Sequence, residues 1–151
     1  MGTHGRSIYK ADISALQQLT PDVMEKGLHL FTFKDIKHSK GWGNASYSWG
    51  KADTPGLDMV FYSKEAGDYS VNVKTSDGIT VSSTLVPADR GLNIVSYDVT
   101  FSKKGKIAYQ KKYKRELKIA KDGKTYLPLG TYSVELEGGG NKVEEEFHIK
   151  E

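Results

Sequence analysis

The sequence contains no cysteine, so disulfides, thiolate catalysis and Cys-based zinc sites are excluded. It holds no run of 18 apolar residues of the kind that crosses a bilayer as a helix. No stretch shows the basic-then-apolar pattern of a secretory leader. A surplus of one charge is also lacking: 22 basic residues stand against 19 acidic ones, a net +3. That balance gives no reason to expect nucleic acid or an anionic membrane as a partner. What remains is an ordinary globular composition, 37% hydrophobic and 27% charged over 151 residues. This length suits one domain, with or without an appendage, and is enough to bury a core.

The first forty residues differ from the rest. "ADISALQQLT" (11–20) and "TPDVMEKG" (20–27) carry the punctuation of short helices. Thr20 can cap, Pro21 suits the first helical position, Asp22 favours the positive helix end and Gly27 can close it. "LHLFTFKDI" (28–36) reads as extended. The Gly- and Ser-rich segment 37–56 reads as a long connection.

From Leu57 onward strand patterns follow at short spacing. "LDMVFYSK" (57–64) is nearly continuous apolar, as in a buried strand. "DYSVNVK" (68–74) alternates, with Tyr69, Val71 and Val73 on one face. After the "SDG" turn (76–78), "ITVSSTLV" (79–86) places Ile79, Val81 and Leu85 inward. "GLNIVSYDVTF" (91–101) reads as one long strand facing Val95, Tyr97, Val99 and Phe101 inward. A lysine-rich bend then leads to a short strand at "RELKIA" (115–120). "TYSVELE" (131–137) turns Tyr132, Val134 and Leu136 inward; "GGGN" (138–141) makes a hairpin into "KVEEEFHIK" (142–150), with Val143, Phe147 and Ile149 inward. No useful helical period follows residue 27. The expected fold is all-β: an antiparallel sandwich of about seven strands, preceded by an extended, short-helical N-terminal segment.

Candidates for chemistry are few. His4, His29, His38 and His148 show no metal-ligand spacing, and no metal, cofactor or catalytic residue is expected. Glu144, Glu145 and Glu146 read as a solvated strand edge, with only Glu145 at an inward position. "GGGN" precedes a strand and not a helix, which argues against a phosphate loop. "KKGKIAYQKKYKR" (103–115) interleaves lysines with Tyr109 and Tyr113 in the manner of a polyanion site. Against a net charge of only +3 we read it as a solvated, twisted connection. Trp42, Tyr47 and Trp49 cluster in the 37–56 connection. Exposed rings of this kind stack on sugars in carbohydrate-binding modules, the alternative function. The plainer reading is that they plug the open end of the sandwich or dock on a neighbouring domain.

Several motifs carry a resemblance. Gly2, Thr3, His4, Gly5, Arg6, Ser7, Ile8 and Tyr9 form a "GTHGRSIY" segment; Asp12, Ile13, Leu16, Gln18 and Leu19 follow, then His29, Leu30 and Phe31. This series resembles the end of the β-propeller in bacterial sortilin-like (Vps10-type, BNR-repeat) proteins, often labelled glycosyl hydrolases. "RGLNIVSYDV" (90–99) and "LPLGTYSVEL" (127–136) resemble strands of the domain that follows such propellers, of the immunoglobulin-like, flagellar hook-cap type. Tyr97 stands where Trp is more usual, and 105–126 forms a longer, more basic insert than the pattern has.

The resemblance implies that residues 1–36 are a last-blade remnant and linker, and that 37–151 is an immunoglobulin-like sandwich. It implies Gly91, Asn93, Tyr97, Asp98, Gly130, Thr131 and Tyr132 as structural motif residues. It further implies a non-catalytic accessory domain, monomeric when isolated, whose partner is its own upstream propeller and which helps present a glycan or protein ligand. Any catalysis would lie in the propeller, and the parent would be exported. Gly130 would turn the chain into its strand after Pro128, and the Tyr132 hydroxyl would reach backbone near that turn. Asn93 and Asp98 would serve local backbone hydrogen bonds.

Overall fold

The computed structural model describes residues 13–45 and 50–151. The protein is mostly β, with 44% of residues in strands and 15% in helices, and its two sheets form a curled half-barrel. Among the described residues two short helices come first, α1 (Ser14–Gln17) and α2 (Pro21–Glu25). The start of α2 follows its punctuation: the Thr20 hydroxyl accepts from the Val23 N–H, and Pro21 occupies the first turn, where no helical partner for an N–H exists.

One sheet has the order β1-β3-β6, from β1 (Leu28–Leu30), β3 (Leu57–Ser63) and β6 (Gly91–Tyr97), all antiparallel. The other has the order β2-β8-β7-β4-β5. It comprises β2 (Ile36–Lys37), β4 (Gly67–Thr75), β5 (Thr80–Ala88), β7 (Gly130–Gly138) and β8 (Asn141–Lys150). Among the described strands only β2 runs parallel to its neighbour, β8. Segments upstream of residue 37 thus enter both sheets.

Register puts the apolar positions between the sheets. Leu28, Leu30, Leu57, Met59 and Phe61 face Tyr69, Val71, Val73, Val134, Leu136 and Phe147, all buried. Each such side chain contributes about 1.5–3 kcal/mol when removed from water. The inward sets read for 68–74, 131–137 and 142–150 are the ones observed. The 138–141 hairpin is present as well, with Gly139 and Gly140 at φ +56° and +73°, values a primed turn requires.

Four expectations change. Leu85 is not inward but 66% exposed. The register of β5 against β4 slips after Ser82, which pairs with Val73, while Thr80 pairs with Lys74. Val81 is the extra residue, and this bulge inverts the phase of the alternation. The 91–101 strand stops at Tyr97: Val99 adopts φ +58°, rare for a β-branched residue, with its side chain fully buried and its carbonyl accepting from the Leu127 N–H at 2.9 Å. The lysine-rich stretch is not a bend but a helix, α3 (Lys103–Tyr113). Finally, residues 115–120 form no strand.

Helix α3 has identifiable causes. The Ser102 hydroxyl caps it, accepting from the Gly105 N–H at 3.0 Å, and the Ser102 N–H donates to the Val81 carbonyl at 2.9 Å. Gly105 lies so close to the bulge that a Cβ there would collide with the Val81 backbone. Tyr109 is buried beside Phe101, and left-handed Lys114 ends the helix.

Candidate functional site

The sequence-marked polar residues hold corners of the half-barrel. Where the chain passes from one sheet to the other between β5 and β6, Gly91 takes φ +114°, which side chains disfavour. Asn93 clamps this corner: its Oδ1 accepts from the Asp89 N–H at 2.9 Å, and its Nδ2 donates to the Asp89 carbonyl at 2.7 Å. At the other end of β6 the Tyr97 hydroxyl donates to the Thr100 carbonyl at 2.5 Å, and burial pushes its pKa far up. Asp98 accepts from the Thr100 hydroxyl at 2.6 Å and from Lys124 at 2.7 Å. Burial works against its charge, yet Lys124 and Thr100 outweigh it and hold the carboxyl below its usual range. Asp98 therefore engages side chains as well as the local backbone bond that was expected.

Gly130 begins β7 opposite Ile149, and Thr131 Oγ1 lies 3.1 Å from His148 Nδ1 across the β7–β8 pair. Tyr132 donates its hydroxyl to the Pro128 carbonyl at 2.9 Å and stacks on Phe147 at 5.5 Å. Burial raises its pKa as well. On the opposite face of β7, Glu135 accepts from Lys74 at 2.6 Å and pairs with Lys142 at 2.5 Å. Those two ammonium groups, Lys142 foremost, hold its carboxyl below the ordinary range.

The histidines stay apart. His29 packs edge-on against Phe31, and His38 packs against Trp42 at 4.8 Å between centroids. His4 lies outside the described residues. Among the described residues, no three His, Asp or Glu side chains are grouped to hold a metal ion. Glu145 sits half-buried opposite Val134, while Glu144 and Glu146 are exposed.

Trp42 is part of the buried core cluster. Only 7% of it is exposed, and its ring packs against His38 and Tyr126. The little of the ring that stays exposed lines the cleft described below. Tyr47 and Trp49 lie outside the described residues, as does the 2–9 segment.

Two concave regions flank this framework. A cleft of about 660 Å³ opens beside Trp42, walled by the 38–44 loop and the 115–121 strap over Tyr109, Tyr126 and Leu127. A groove of about 730 Å³ runs between α1 and the outer face of the three-stranded sheet, lined by Ala15, Phe31, Phe33, Val60 and Ile94. Neither was visible in the sequence, because each joins segments distant along the chain. Compared with known proteins, the chain matches no family model and no curated protein.

Proposed function

We propose that this chain is a non-catalytic accessory domain, an immunoglobulin-like β-sandwich packing on a neighbouring domain of a larger exported protein. The neighbour is the sortilin-like β-propeller that its motifs resemble. Two features support the immunoglobulin-like part. The strand order sets β1-β3-β6 against β8-β7-β4-β5, with edge strand β2 running parallel to β8. The Tyr132 hydroxyl donates to the Pro128 carbonyl at the start of β7, after the chain crosses between sheets, as the tyrosine of such a corner does.

One observation carries the docking part. The outer face of the three-stranded sheet carries Asp58 and Ser96 at one end but Val60, Tyr62, Leu92 and Ile94 along the rest, where a solvated face would be polar throughout. The 13–27 segment covers part of it, with the Tyr62 hydroxyl donating to the Met24 carbonyl at 3.2 Å. Ile94 remains 69% exposed, next to the groove that α1 shares, and Leu16 on α1 is 58% exposed. Apolar groups gathered on one side in this way mark an interaction surface.

The test is to mix the upstream domain of the parent with this chain and with its Ile94→Asp variant. A complex is expected with the first and at least tenfold weaker binding with the second. An upstream sequence without propeller repeats would remove the propeller from this account. Hydrolysis of nitrophenyl glycosides by the isolated chain at enzyme-like rates, lost on changing one carboxylate, would overturn the non-catalytic reading.

A further inference from the structure

The basic residues are unevenly placed. Residues 103–124 hold ten basic and two acidic residues, a net +8, which leaves −5 for the rest of a chain whose total is +3. The fold turns this stretch into α3 and the strap that follows it, which walls the Trp42 cleft. Lys40, Arg115, Lys118 and Lys121 line the cleft, and Glu116 is the single acid among its lining residues. None of the four cationic side chains has a hydrogen bond or ion pair with a described residue.

The strap has a second property. After Lys114 ends α3, no hydrogen bond engages the backbone of residues 115–119 among the described residues; the ladder resumes with the Ala120 N–H donating to the Lys124 carbonyl at 2.8 Å. A row of backbone donors and acceptors is therefore free beside an apolar interior of Leu117, Tyr126, Leu127 and Pro128. Ile119 is 59% exposed over the same opening. At about 660 Å³ the cleft has the size of ordinary ligand sites.

We infer that this cleft binds an extended acidic peptide segment in which acidic and large apolar residues alternate. Its backbone pairs with residues 115–119 in the manner of strand addition. Its apolar side chains enter the cleft, and its carboxylates meet Lys40, Arg115, Lys118 and Lys121. A sulfated glycan or a nucleic acid would use the cations alone and leave the free backbone and the apolar wall without partners. This site shares no lining residue with the groove beside α1, so its failure leaves the docking role above standing.

The experiment uses the full chain and a fluorescein-labelled peptide of alternating Glu with Leu and Phe, followed by anisotropy at about 0.15 M salt. Saturable binding is expected, weakened at least tenfold by Arg115→Glu with Lys118→Glu, and by Ile119→Pro, which removes one backbone donor. Thermal melts of both variants should match the parent chain, because the strap lies outside both sheets. Amide exchange at residues 115–119 should slow when the peptide is bound. Three outcomes would overturn the inference: no saturable binding, equal binding of the peptide with Gln in place of Glu, or unchanged exchange at 115–119. Heparin binding that is lost in the charge-reversed variant but kept in Ile119→Pro, without peptide binding, would reassign the site to polyanions.

Discussion

Tyr132 shows how one residue fixes a corner. Its ring is buried against Phe147, and its hydroxyl satisfies a carbonyl four residues upstream, where Pro128 cannot donate. Tyr132→Phe leaves the packing and removes only the hydroxyl, so it should cost about 1–2 kcal/mol, measured by urea unfolding. An unchanged midpoint would mean that the corner is held elsewhere. Asn93 does similar work between the sheets. Its two bonds to residue 89 were legible as local ones, because a short amide two residues after a glycine competes well for turn backbone. Trp42 is buried in the 37–56 connection. The partners that cover it were not legible, since His38 and Tyr126 lie on separate connections.

At the scale of elements, the strands were readable wherever one face meets the core. β4, β7 and β8 alternate as written because their registers have no bulge between them over the buried stretch. β5 was misread beyond its bulge, since a single extra residue at Val81 reverses every later side chain. Helix α3 escaped notice because it has no apolar stripe: Ile107 points to solvent, and only Gly105 and Tyr109 are buried. Its signal was Ser102, a cap residue ahead of the lysines. Gly105→Ala should lift α3 from the Val81 bulge. A loss of about 2 kcal/mol or more is expected, although alanine favours helices in isolation. A stabilised Gly105→Ala variant would contradict the contact.

The Glu135 cluster ties β7 to β4 and β8 and sets an acid response. Its folded pKa lies below the ordinary 4.5, so its contribution is complete above that value and is lost as pH falls through the lowered one. Thermal stability should therefore drop below about pH 4.5, and Glu135→Gln should flatten that drop while lowering stability near neutrality by about 1–2 kcal/mol. Melting curves from about pH 7 to about pH 3 check both parts.

For the whole molecule, a two-sheet β fold was legible from seven strand-like segments and their turns, because burial between sheets imposes a period of two. The cleft and the groove were not, since three or four distant segments build each one. As proposed above, the apolar outer face of the three-stranded sheet is an internal interface of a larger protein. Amide exchange compared between the isolated chain and the full parent tests it most directly. Slower exchange is expected in the parent around Leu16, Val60 and Ile94, with the five-stranded sheet unchanged. Equal exchange at those positions in both proteins would contradict it.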